Sequence, residues 1–191
     1  MAKRLQLAES VLLVCDLQEK LRSTIFKFPH VVHTSRQMLH VAQMLDIPVI
    51  VTEQYRKGLG RTVSELDISR ATCFEKGQFS MLTSDVRSKI SDLGRSQVLL
   101  VGIEAHVCIL QTALDLLEDG KDVFLIADAI SSSRALDRSA ALMRLHKAGA
   151  VITTAESAIL EMLKTKDHPK FKELMPLLKL FKFDGDLLSS L

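Results

Sequence analysis

The stretch QVLLVGIEAHVCIL, residues 97–110, decides the fold. Four apolar residues, Val98 to Val101, run into Gly102 as a strand buried on both faces does. The chain then uses Glu104, Ala105 and His106 before setting Cys108 at the head of another apolar run. The stretch is a strand-to-helix elbow with a thiol at the joint. The same style of run recurs at VLLVC (residues 11–15, ending at Asp16), IPVIV (47–51), DVFLIAD (122–128) and AVITT (150–154). Between these lie helical periodicities over residues 31–45, 83–93, 107–117, 136–147 and 156–163, several closed by Gly94, Gly120 and Gly149 as C-terminal signals. The order βαβαβαβαβα predicts an α/β fold of three layers, αβα, around a mainly parallel central sheet. Ligands of such sheets bind beyond the carboxyl ends of the strands, the rim that Asp16 and Cys108 share.

The bulk numbers narrow the partners. A chain of 191 residues without a Pro/Gly/Ser-rich linker predicts one domain, residues 1–166, followed by a tail, residues 167–191. The tail carries Phe171, Phe181 and Phe183, apolar rings suited to docking on its own body or on a second copy, and a homo-oligomer is expected. A net charge of +2, with no basic stripe and no RNP-like aromatics, speaks against nucleic acid as partner and leaves a small-molecule substrate. No run of 18 uncharged apolar residues occurs, so no membrane span is predicted. Three widely spaced cysteines, Cys15, Cys73 and Cys108, form no CxxC pair and suit a reducing compartment, the cytoplasm. The final Ser189-Ser190-Leu191 echoes a peroxisomal Ser-Lys-Leu address but has serine in place of the basic residue. The polar piece from Glu53 to Phe79 is too long for an idle connection and is expected to wrap the site.

The thiol needs help to act as a nucleophile. A helix N-terminus contributes less than about 1 kcal/mol, whereas bringing a thiol from pKa ~8.5 to ~6.5 requires ~2.7 kcal/mol. Another cation is required, and Lys76 in CFEKGQFS, next to the flexible Gly77, supplies one. Asp16 is then placed to accept the thiol proton and hand it to a leaving amine. An unperturbed pair faces a gap of ~4.6 pKa units, or ~6 kcal/mol. Desolvation of the carboxylate narrows it.

VLLVCDLQ around Asp16, FEKGQFS around Lys76 and VGIEAHVC ending at Cys108 resemble the three motif blocks of the isochorismatase-like cysteine hydrolase family. The likeness is greatest to the small eukaryotic isochorismatase domain-containing group, through CDLQEK, VTEQYRKGLG, GIEAHVCILQTALDLL and HPKFKEL. The resemblance implies a Rossmann-like fold and an Asp16-Lys76-Cys108 triad in which Cys108 attacks a carbonyl to give a thioester that water hydrolyses. It also implies a cis peptide at Ile103-Glu104 and an oxyanion hole formed by the backbone N–H groups of Glu104 and Cys108. Relatives that cleave isochorismate, a vinyl ether, carry a small non-nucleophilic residue at the cysteine position. A thiol there points to amide, ureide or related acyl substrates. The nicotinamidase branch holds a metal with an aspartate and histidines after the second strand, where this chain has Thr52, Glu53, Gln54, Tyr55 and Arg56, so neither metal nor cofactor is expected. Position 104 is often threonine in relatives. An inward-pointing Glu104 would recognise a cationic group or repel acidic substrates.

Other residues divide between structural and functional readings. Gln18 resembles the Q of the family's DxQ and holds the Asp16 carboxylate, structures the elbow or contacts substrate; Tyr55 and Phe79 are candidates to line the pocket. Cys15 is read as inert core facing away from Asp16, and Cys73 as loop packing. His106, two residues before the thiol, is read as projecting elsewhere, and His33 and His40 are seven apart, too far for an i, i+4 metal pair. Two rival functions remain: a peroxide-reactive redox thiol at Cys108, for which no resolving cysteine follows in the chain, and a non-catalytic interaction module.

Overall fold

The computed structural model describes residues 3–180. Six strands, β1 (Ser10–Cys15), β2 (Val49–Gln54), β3 (Thr72–Lys76), β4 (Gln97–Ile103), β5 (Asp122–Ser131) and β6 (Val151–Thr153), form one parallel sheet in the order β3-β2-β1-β4-β5-β6. The helices are α1 (Phe28–Met44), α2 (Arg56–Leu59), α3 (Ser84–Leu93), α4 (Leu110–Glu118), α5 (Ala135–Lys147), α6 (Ala155–Leu163) and α7 (Phe171–Leu180). The chain order reverses between β1 and β4, which opens a crevice at the carboxyl ends of those two strands.

The apolar runs are continuous because both faces of the sheet are covered. In β1, Leu12 and Val14 belong to the core shared with α1, α6 and α7, while Val11, Leu13 and Cys15 belong to the core shared with α3, α4 and α5. Thr83 caps α3 by accepting the Val86 N–H, and Thr154 caps α6 by accepting that of Ser157. The tail helix α7 docks on its own domain through Leu174 and Leu178, next to α1. Phe181, Phe183 and residues 189–191 lie outside the described residues. Among the described residues no helix is long and apolar enough to cross a membrane.

The piece from Glu53 to Phe79 differs from its expectation: it contains β3 and the short α2. As a sheet-edge strand, β3 pairs with β2 alone and exposes Cys73 and Glu75, so TCFEK lacks the continuous apolar run of the inner strands. The second strand also extends to Gln54, three residues beyond the apolar run that announced it.

Gly102 of β4 is paired in register with Cys15 of β1. Its φ is +121°, and a Cβ added there would lie 2.1 Å from Cys15 O. Gly102→Ala is therefore expected to cost at least about 3 kcal/mol, which for a domain of this size lowers Tm by about 6–12 °C. A thermal melt with unchanged Tm would show that the two strands can part without penalty.

Candidate active site

The first strand ends at Cys15, and Asp16 turns out of it with φ +51°, a left-handed conformation that aspartate tolerates better than most residues. The Asp16 N–H still donates to Thr52 O at 3.2 Å, and Asp16 O accepts the Gln18 N–H at 2.8 Å. The two carboxylate oxygens are separately occupied. Thr52 Oγ1 donates to Oδ1 at 2.8 Å, and Lys76 Nζ lies 2.7 Å from Oδ2.

Lys76 arrives from the last position of β3, in register with Gln54. Its ammonium donates to Gln54 Oε1 at 2.6 Å, Phe79 O at 2.8 Å and Gln78 O at 3.2 Å, and lies 3.7 Å from Cys108 Sγ. Three protons serve these five neighbours, so the contacts are shared. Cys108 comes from a π-helical turn, Ala105–Ile109, that follows β4. Glu104 O accepts the N–H groups of Val107 and Ile109, both at 3.1 Å, on either side of Cys108. Thr112 Oγ1 donates to Cys108 O at 2.6 Å and accepts the Met81 N–H at 2.8 Å, tying the elbow to the segment after Lys76. The Ile103-Glu104 peptide is cis.

All three side chains are out of water: Asp16 is 2% exposed, Lys76 3% and Cys108 8%. Burial pushes the Asp16 carboxyl above the ordinary aspartate range, against the opposing pull of Lys76 and Thr52. Burial alone would lower the Lys76 ammonium, but Cys15, Asp16 and Cys108 around it carry it above the usual lysine value. The result is a charged amine held between a carboxylate of raised proton affinity and a sulfur.

Around this centre the loop is fastened from below. Gln18 is fully buried; its Nε2 donates to Gln54 O at 2.9 Å and Gly60 O at 2.7 Å, and its Oε1 accepts the Gln54 N–H at 2.7 Å. These bonds make Gln18 a clamp between Gln54 and Gly60. Glu53 accepts the Thr62 N–H at 2.7 Å and pairs with Arg56. The Tyr55 N–H donates to Lys76 O at 3.0 Å and Phe79 O accepts the Lys76 ammonium at 2.8 Å, while Tyr55 and Phe79 are 58% and 54% exposed. The Glu104 carboxylate accepts the Ser133 N–H at 2.7 Å, and His106 Nδ1 lies 3.0 Å from Ser132 Oγ.

One reading needs correction. Cys15 does not face away from Asp16: its Sγ donates to Asp16 Oδ2 at 3.5 Å. In a regular strand residues 15 and 16 would point to opposite faces, and the left-handed turn at Asp16 cancels that alternation. Thr52 and Gln54, which bond to Asp16 and Lys76, were missed. Their signal was the position just past an apolar run at the same rim.

Cys15, Asp16 and Cys108 each offer a ligand atom, all within 4.8 Å of one another. Lys76 Nζ already stands against Asp16 Oδ2, and Thr52, Glu53 and Gln54, at the place of the metal-binding branch's ligands, bond to Asp16, Thr62 and Lys76. The donor set does not fit a resident metal unless the ammonium leaves.

Fold and site together define a parallel α/β protein of hydrolase type, with a thiol, an amine and a carboxylate gathered at the switch point of the sheet. The chain belongs to the isochorismatase family, whose Isochorismatase domain matches residues 10–157. It is 47% identical to Isochorismatase domain-containing protein 2 of Danio rerio over 176 residues, 92% of this chain and 89% of that one. It is 44% identical to Isochorismatase domain-containing protein 1 of the same fish, covering 95% of this chain but 65% of that longer one. Among solved structures, the MAR1 ribonuclease of Caenorhabditis elegans superposes with a TM-score of 0.92 at 44% identity, over 98% of this chain and 97% of that one.

Proposed function

We propose that the protein is a metal-independent cysteine hydrolase of small amides, ureides or related acyl compounds. The observation that carries this reading is the bridging position of Lys76 Nζ, 2.7 Å from Asp16 Oδ2 and 3.7 Å from Cys108 Sγ. A buried ammonium beside sulfur stabilises its anion, since charge interactions strengthen as water is excluded. Cys108 then attacks the carbonyl carbon, with its proton passing to Asp16. The oxyanion faces the N–H groups of Glu104 and Cys108. Asp16, whose raised proton affinity suits it to hold a proton transiently, returns it to the leaving amine, and water hydrolyses the thioester. The Glu104 carboxylate is engaged by Ser133 N–H, which supports a side chain turned toward the start of α5 and a hole not blocked by its charge.

The nematode neighbour is described as a ribonuclease. A net charge of +2 provides little attraction for a polyanion, and the small acyl reading is preferred for this chain. Rapid quenching of the protein with a panel of small amides and ureides, followed by mass spectrometry, is expected to find an acyl group on Cys108. The same panel includes an RNA oligonucleotide. RNA cleavage without any acyl adduct would overturn the proposal.

A further inference from the structure

We propose that Cys15 is the resolving partner of Cys108, so that peroxide converts the two into an intramolecular disulfide that closes the site reversibly. Their sulfurs lie within 4.8 Å of each other, with the Asp16 carboxylate between the same limits. Both side chains belong to the core on one face of the sheet. Their backbones are neighbours as well: Cys15 is paired in register with Gly102, and the turn carrying Cys108 begins just after β4 ends at Ile103. A disulfide is about 2.05 Å long, so rotation of the two side chains toward each other must close less than about 3 Å.

The surroundings give the two thiols different roles. Cys108, 8% exposed and beside Lys76, is the one that a small oxidant reaches. Cys15 is wholly buried, and burial pushes its thiol well above the ordinary range. It stays protonated, bonded to Asp16, and does not compete as a nucleophile while Cys108 is reduced.

The Cys108 thiolate, whose proton has passed to Asp16, attacks one oxygen of hydrogen peroxide; the O–O bond breaks, the departing hydroxide takes that proton from Asp16 as water, and Cys108 becomes a sulfenic acid. Cys15 passes its proton to Asp16 Oδ2, its existing acceptor, and its sulfur attacks Cys108 Sγ. The S–O bond breaks, and the departing hydroxide collects that proton as a second water. Two thiols lose two electrons and the peroxide gains both. Thiol reductants reverse the bond by exchange, whereas further oxidation of Cys108 to the sulfinic acid would not be reversed by them.

The test is titration of the reduced full chain with hydrogen peroxide, then trypsin digestion without reductant. The wild type is expected to become about 2 Da lighter, with residues 5–20 linked to residues 96–121, and to return to its original mass in dithiothreitol. Cys15→Ser and Cys15→Ala are expected to lose the link and to carry about 32 Da more on residues 96–121. A wild type that gains that mass on residues 96–121 without the link overturns the proposal; so does a link that involves Cys73 on residues 71–76. The wild-type arm decides even if neither variant folds. Since no acyl substrate is present, a failed hydrolase reading leaves this result unaffected, and the reverse also holds.

Discussion

Lys76→Met is expected to lower stability by about 3–5 kcal/mol near pH 8, because it strands the Asp16 carboxylate, 2% exposed, without its cation. For a domain of this size that is a Tm loss of about 6–20 °C. The sign of its pH dependence follows from Asp16. Burial already raises that carboxyl, Lys76 pulls it back, and the variant removes the pull. A carboxyl raised in the folded state contributes stability below its unfolded pKa of ~3.9, and that stability is lost as pH rises through the folded value. The deficit relative to wild type should therefore shrink on going from pH 8 to pH 5, where Asp16 in the variant can bind a proton. Lys76 itself is raised in the wild type, so its contribution is lost only in alkali and does not disturb this window. Calorimetry of both proteins at the two pH values checks the prediction, and an equal deficit at both would show that the carboxylate finds another partner.

The other large effect concerns turnover of whichever acyl compound labels Cys108. Cys108→Ala should reduce kcat by at least about 10⁴-fold, and Asp16→Asn should reduce it by about 10²–10⁴-fold. Asp16→Asn keeps an oxygen for the Thr52 hydroxyl, so its fold should survive better than that of Lys76→Met. The wild-type rate should fall on the acid side with an apparent pKa above the ordinary aspartate value, because a protonated Asp16 cannot accept the thiol proton. The asparagine variant should lack that limb. An unchanged acid limb in Asp16→Asn would assign the titration to another group.

These expectations rest on different kinds of information. The inner strands could be read from sequence because both faces are covered, so Val11 to Val14 and Val98 to Val101 form unbroken apolar runs. The edge strand could not, since Thr72–Lys76 alternates half-buried with exposed residues until Lys76. Lys76 could still be named, from its motif, although the element that delivers it went unrecognised.

By itself, then, the sequence determined the α/β class and the strand-to-helix elbow at residues 101–110, because periodicity and turn residues act over short stretches of chain, while Asp16, Lys76 and Cys108 were named through motif blocks that resemble those of a family. Tertiary structure alone decided that Cys15 joins them, that Thr52 and Gln54 hold Asp16 and Lys76, and that Gln18 clamps the loop. Those contacts depend on a strand register between distant segments and on one left-handed residue, Asp16, where the strand's alternation stops.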